Sequence, residues 1–343
     1  IATLFSSALR AQTEQIDTYA PSYVAPYIGI VTDLHIGQMT ETEDGEEEKH
    51  DMMGLKMMEA SFSTDKTLPA SAYIVLEMPG EDIEVSEAAI RLKELLPNDY
   101  EIIAGRKLVD FGRWNTRHQH DTPFAGGFML YSNVHEGQFV GNGAELHKYT
   151  FVGDVPLRWS VGAWSDLEAH GHGGHGHGHS EEEEEEEEEY AFSDTQFSAR
   201  ITAQHDMGAN GWWQWGFSSL QGYATAFDLH FNSKSLTDKS SWLSGLESWR
   251  VEGEMNTSVF IHHMFNESWG MGVQAGRYKP EEHPEDYFMA VGAQISRHWG
   301  EASRLRLGVM QASSEAEDEE HDITSVMLDY THFFGLHRHG MDW

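Results

Sequence analysis

In the stretch TQFSARITAQ, residues 195–204, Phe197, Ala199, Ile201 and Ala203 alternate one for one with Gln196, Ser198, Arg200, Thr202 and Gln204. The same period of two runs through LRWSVGAW (157–164), where Leu157, Trp159, Val161 and Ala163 alternate with Arg158, Ser160 and Gly162. It returns in YFMAVGAQIS (287–296) and in RLRLGVMQ (304–311), where Arg304, Arg306 and Gly308 oppose Leu305, Leu307 and Val309. Successive side chains of a strand point to opposite sides, so each segment is a β-strand with one apolar and one polar face. Helical spacing explains none of the four as well.

Strands of this kind fit two architectures of opposite sense. A soluble sandwich or lipocalin-like barrel turns the apolar face inward, whereas a membrane barrel turns it out to lipid and keeps a wet, polar lumen. A helical membrane span is excluded, because no run of 18 apolar residues exists. Three features favour the membrane barrel. The polar faces carry arginine at Arg158, Arg200, Arg304 and Arg306, which suits a hydrated pore lining. Short turns such as GDVP (153–156), MGAN (207–210) and GEAS (300–303) alternate with long polar loops at 39–51, 113–143, 166–191, 279–286 and 313–322. Aromatic residues gather at strand ends, with Trp212, Trp213, Trp215, Trp242, Trp269, Trp299, Phe333 and Phe334 placed as an interfacial girdle would require.

The alternation yields sixteen strands between residues 25 and 335, with fourteen or twelve left open because the segments 70–96 and 211–233 are weakly patterned. The expected fold class is therefore all-β, a transmembrane antiparallel barrel with short periplasmic turns and long acidic outer loops. With the first strand running outward, every acidic loop falls on the outer side and both chain ends fall inside. Residues 1–24, beginning IATLFSSALRAQ, read as the remnant of a secretory signal and an N-terminal periplasmic segment, and 336–343 as a periplasmic tail.

The formal charge of −35 belongs to a few places: the runs within 41–51, 181–189, 281–286 and 315–322 hold 26 of the 57 acidic residues. No basic stripe exists to neutralise phosphates, so nucleic acid is excluded as a partner and divalent cations fit better. The absence of cysteine removes thiolate metal sites, thiol catalysis and disulfides.

The stretch YEIIAGRKLVDFGRWNTRHQHDTPF (100–124), the Gly-rich run to GNGAEL, the His-rich loop and the final LDYTHFFGLHRHGMDW resemble the porin-like outer-membrane barrels of Gram-negative bacteria associated with zinc uptake. The resemblance implies residence in the Gram-negative outer membrane among lipid and lipopolysaccharide, passage of metal ions or small solutes, and a link to zinc. It also leaves a homotrimer open.

In AHGHGGHGHGHSEEEEEEEEEY (169–190), His170, His172, His175, His177 and His179 are separated only by glycine and are followed by nine glutamates beginning with Glu181 and Glu182. Neutral imidazole suits zinc, copper and nickel, and carboxylates serve as further ligands. Ordering so flexible a loop costs entropy, so several weak, exchangeable sites are expected rather than one closed one. A solvated low-complexity loop is the alternative. No resident cofactor is required; Zn2+ or a similar divalent cation is expected as cargo or loop ligand.

RWNTRHQHDTPFAGG opens the 113–143 loop, a length that needs a function. Its position after an early strand is similar to that of the loop that folds into the lumen of general porins, and that resemblance implies that it narrows the lumen here. On an extended segment His118 and His120 face one way with Asp121 close by, a relay site for a divalent ion. Arg113 and Arg117 argue instead for an electrostatic constriction. His262 and His263 are strand neighbours and face opposite sides, so they cannot form one site. His337 and His339 sit in the tail. No nucleophile elbow, zinc-protease motif, phosphate loop or dinucleotide fingerprint occurs; HEGQF (135–139) has Phe139 where a second histidine would be needed. Two readings follow: a passive channel whose outer loops gather cations, or a non-conducting barrel, plugged by 113–143, that acts as a surface metal binder or structural protein. Neither is an enzyme.

Overall fold

A computed structural model describes residues 27–43, 46–64, 68–78, 82–93, 100–125, 138–170, 195–234, 239–279, 287–300, 302–316 and 319–335. Among them sixteen strands run antiparallel to their sequence neighbours: β1 (Tyr27–Glu43), β2 (Glu46–Ser63), β3 (Ala70–Met78), β4 (Glu84–Lys93), β5 (Tyr100–Leu108), β6 (Gln138–Val152), β7 (Val155–His170), β8 (Gln196–Asp206), β9 (Trp212–Leu220), β10 (Ala224–Lys234), β11 (Ser241–Val251), β12 (Glu254–Met264), β13 (Trp269–Lys279), β14 (Tyr287–Trp299), β15 (Ser303–Ala316) and β16 (Glu319–Gly335). The last strand pairs with the first from Gly29↔Gly335 to Glu43↔His321, which closes the sheet into a barrel without edges. The weakly patterned segments 70–96 and 211–233 keep two strands each, so the count of sixteen holds over fourteen or twelve.

The sense of the alternation is settled by exposure. Along β8, Phe197 and Ile201 face out while Ser198, Arg200 and Thr202 are buried inside; along β14, Met289, Val291 and Ile295 face out while Ala290, Gln294 and Ser296 turn in. The outer surface carries Leu, Ile, Val, Phe and Met on strand after strand, a continuous apolar band that water would not tolerate and lipid requires. The barrel therefore spans a membrane by strands, and no helix among the described residues is long and apolar enough to do so. The exposed tryptophans Trp213, Trp242, Trp269 and Trp299 all lie at the end where the barrel begins and finishes, forming a girdle there. His263 joins this belt, stacked on Trp242 with ring centres 3.9 Å apart.

The turn 153–154 lies at the end where the barrel begins and finishes; β5 and β7 end, and β6 and β8 begin, at the other. At that second end the two-residue turn Glu252–Gly253 has positive φ at both positions, as a type I′ hairpin demands.

Two acidic segments expected as loops are strand. β1 and β2 stay paired out to Glu43↔Glu46, and β15 and β16 out to Ala316↔Glu319, so 39–43, 46–51, 313–316 and 319–322 form a raised four-stranded wall. The period-two signal was hidden there because both faces are polar. Beyond the lipid band neither face needs to be apolar, and the hydrogen-bond ladder simply continues. For the same reason β7 runs on to His170, and β6 begins at Gln138, inside the 113–143 loop. The expected leader, the tail with His337 and His339, and residues 126–137 and 171–194 lie outside the described residues.

The outward placement of Val161, mid-way along β7 and 45% exposed, makes a direct test of the band. Val161→Arg is expected to cost roughly 2–4 kcal/mol of folding stability in lipid. Asp154→Arg, in the exposed turn outside the band, should change stability by about 0.5 kcal/mol or less. Denaturant titration in vesicles reads both, and equal effects would remove the lipid-facing assignment.

Candidate functional site in the barrel lumen

The chain leaving β5 does not rise out of the barrel. Residues 109–125 turn inward and cross the lumen, held to its wall by contacts on strands from β2 round to β15. Near its start, Asp110 accepts hydrogen bonds from Arg158 Nη2 at 2.6 Å and Ser160 Oγ at 2.5 Å, and the Arg200 guanidinium stands at 3.5 Å. Burial opposes ionisation of Asp110, but the two guanidiniums outweigh it and hold the carboxyl below the usual range. Beside it Lys107 Nζ meets Glu145 at 2.5 Å, and Glu145 also accepts the Asp110 amide and faces His147 Nε2 at 3.0 Å. Arg200 reaches on to Asp228 at 2.7 Å.

Further along, Gly112 donates its amide to Ser218 and Arg113 its amide to Glu247 Oε1, which Trp249 Nε1 also reaches at 2.7 Å. Gly112 has φ +59°, and a Cβ there would lie on the Glu247 carboxylate, so the close approach needs glycine. Phe111, Trp114 and Phe124 of the loop pack with Phe139, Trp249 and Phe260 of the wall in an apolar cluster that fills one side of the lumen. Asn115 ties the start of the loop to the start of β6, its amide bonding the Val109 and Phe139 carbonyls and its oxygen accepting the Phe139 amide. Opposite, Arg306 Nη1 donates to the Thr122 and Phe124 carbonyls at 3.0 and 2.7 Å, while Gln294 takes the Ala125 amide.

The sequence-marked arginines thus divide. Arg158, Arg200 and Arg306 are buried and anchor the loop, whereas Arg113, Arg117 and Arg304 are half-buried on the lumen side. The Arg113 guanidinium lies over Trp212 and donates to Gln214; that of Arg304 lies over Phe333.

His118 and His120 are brought together, though not on an extended segment. The Gln119–Asp121 stretch is a 3-10 turn, closed by the Asp121 amide on the His118 carbonyl, and it stacks the two imidazoles with centres 5.6 Å apart. His118 Nδ1 lies 2.7 Å from Glu77 Oε1 and 3.2 Å from Glu59 Oε2; its Nε2 lies 3.1 Å from Glu87 Oε1. His120 Nδ1 lies 3.7 Å from the same Glu59 oxygen. Burial lowers the tendency of His118, on the inner loop, to carry charge, but the three carboxylates prevail and hold it ionised well above the usual histidine range. Asp121 stands apart from this group, 3.6 Å from the other nitrogen of His120. His262 points into the lumen near Phe124 while His263 points out, so the two are separate as their strand spacing requires.

Of the outer histidines, His170 ends β7, and His172, His175, His177, His179, Glu181 and Glu182 lie outside the described residues. The acidic wall residues Glu59, Glu77, Glu87, Glu145, Asp228 and Glu247 were not marked by sequence reasoning. Their signal was present: in AFDLHF, Asp228 and His230 alternate with Phe227, Leu229 and Phe231, and so share the inward face.

Two solved structures match the chain over nearly their whole length. An anion-selective porin from Comamonas acidovorans superposes with a TM-score of 0.57 at 12% identity, covering 90% of this chain and 99% of its own. The outer membrane channel DcaP of Acinetobacter baumannii gives 0.55 at 9% identity, covering 92% and 99%. The fold is that of an outer-membrane porin. No protein-family model and no curated protein sequence matches the chain. A porin fold is thus carried at only 12% and 9% identity to those structures.

Proposed function

We propose that the protein is a passive channel of the Gram-negative outer membrane, passing divalent metal ions, zinc foremost, or small solutes through a lumen narrowed by residues 109–125. The observation that carries this reading is the inner loop itself: a charged segment fixed across the lumen by buried ion pairs on both its flanks. A loop held so firmly sets a constriction of fixed shape and charge, which is how a channel selects. The acidic wall at 39–51 and 313–322, together with the His/Glu-rich 169–189 segment, would raise the local cation concentration at the outer mouth. Arg113, Arg117 and Arg304 face the same space, and a small anion is the competing cargo, in keeping with the anion selectivity of the Comamonas porin.

A second reading has its own support. The aromatic cluster around Phe111 and Trp114 occupies one side of the lumen, which favours a plugged, non-conducting barrel that binds metal at the surface. Planar-bilayer recording separates the two. In potassium chloride the channel reading expects ohmic steps, and added zinc should alter them at lower concentration in the full chain than after deletion of residues 169–189. A reversal potential under a salt gradient gives the sign of the preferred ion. Zinc binding without any steps would replace the channel by the plugged binder.

A further inference from the structure

We infer that Glu59, Glu77 and His118 form a divalent-cation site inside the barrel, with His120 as an adjoining donor and Glu87 as the residue that positions His118. Its use as a relay for permeating metal rests on the channel reading above; the site itself rests on geometry.

The donor atoms come from three separate pieces of chain: β2, β3 and the inner loop. All three side chains are almost completely buried, and their ligand atoms lie within 4.8 Å of one another. Zinc ligands sit about 2.0–2.2 Å from the metal, so two of them at a tetrahedral angle stand roughly 3.3–3.5 Å apart. The separations from Glu59 Oε2 to His118 Nδ1 and to His120 Nδ1, 3.2 and 3.7 Å, bracket that spacing. The 2.7 Å contact to Glu77 would open by roughly 0.6–0.8 Å to reach that spacing as the metal takes the place of a proton. Two imidazole nitrogens with carboxylate oxygens form a borderline set that suits Zn2+ or Co2+ better than the all-oxygen shell of Ca2+.

The second observation is on the far side of the ring. A metal-binding histidine almost always donates its other N–H to a carboxylate, a backbone carbonyl or water, which fixes tautomer and orientation. Here His118 Nε2 faces Glu87 Oε1 at 3.1 Å. Glu87 is itself held, its other oxygen accepting bonds from the Tyr73 hydroxyl at 3.2 Å and the Leu108 amide at 3.3 Å. Nδ1 is thereby aimed at Glu59 and Glu77. A surface cluster of acids would have neither the imidazole nor this backing.

Cobalt is the probe. Detergent-purified full-length protein titrated with Co2+ is expected to show intense visible bands of a low-coordinate N/O site saturating at one equivalent, since hydrated ions in the outer loop absorb weakly. Glu77→Gln and His118→Gln should abolish the bands. Glu87→Gln should retain them with affinity lowered roughly 10- to 100-fold. Exchange of His172 and His175 for Gln should leave them unchanged. Heat-modifiable gel mobility confirms that each variant is a folded barrel. Absence of bands in the wild type, or bands that survive in both Glu77→Gln and His118→Gln, would overturn the site. Recording in potassium chloride alone is independent of it. Steps without bands would discard the site and keep the channel; bands without steps would keep the site and discard the channel.

Discussion

Replacing residues 110–125 by a short glycine–serine linker is expected to raise single-channel conductance several-fold. The segment carries Phe111, Trp114 and Phe124 into the lumen, and each aromatic ring fills space that water and ions would otherwise occupy. The barrel should survive the change, because every strand pairs with its neighbours and the closing β1–β16 ladder makes no use of the loop. Removal would not strand buried charges either. Asp228, Glu247 and Arg306 are buried on the lumen side of the wall and keep ion partners there, and in an opened lumen they would be hydrated as well. Planar-bilayer recording beside the wild type gives the answer. Unchanged conductance would mean that residues 110–125 are not the narrowest part of the path, and the constriction would have to be sought elsewhere.

Asp110→Ala is expected to undock the same loop without removing it. The substitution deletes the carboxylate that Arg158, Ser160 and Arg200 share and leaves two buried guanidiniums facing a methyl group. Breaking one side of a buried pair in this way costs about 3–5 kcal/mol. Arg200 retains Asp228, and Arg158 retains the His147 ring at 3.0 Å, so the lower part of that range is the better expectation. The strand ladder is untouched, so the cost falls on loop docking rather than on the barrel. Trypsin should then cut after Arg113 or Arg117 in the variant and not in the wild type, and the open-channel current should become noisier. Asp110→Asn, which keeps an acceptor for Ser160, should lie between the two. A variant as resistant to trypsin as the wild type would show that the aromatic packing of Phe111 and Trp114, not the ion pair, holds the loop.

What the sequence made legible follows from where solvent changes. Inside the lipid band each strand has one lipid-facing and one lumen-facing side, so hydrophobicity alternates and segments such as 195–204 announce themselves. Beyond the band that contrast vanishes. Hence the strand ends at 39–43 and 313–316 looked like loops although their ladder is unbroken. The inner loop was legible as an excess of length after an early strand, and His118 with His120 as a spacing. Their partners were not, because Glu59, Glu77 and Glu87 come from three other strands and only barrel closure brings them within reach of the loop. The arginines drew notice because a cation among apolar residues stands out. The acids that pair with them sit at the same alternate positions, and reading Asp228 or Glu247 as inward-facing would have predicted an anchored loop rather than a row of free charges.

Fifteen of the sixteen neighbour contacts in the barrel join strands adjacent in sequence; one joins its beginning to its end. Loop-closure entropy grows only as the logarithm of the intervening length, about 0.6 kcal/mol for each doubling, so meeting across some three hundred residues is thermodynamically cheap. It is expensive in time, because distant pairings form last. Until Gly29 finds Gly335 and fifteen register positions zip up to Glu43 and His321, β1 and β16 are two long bare edges, paired to β2 and β15 on one side and with the backbone donors and acceptors of the other side open to another chain. For this protein the hazard of biogenesis lies less in the stability of the finished barrel than in the lifetime of its unclosed seam.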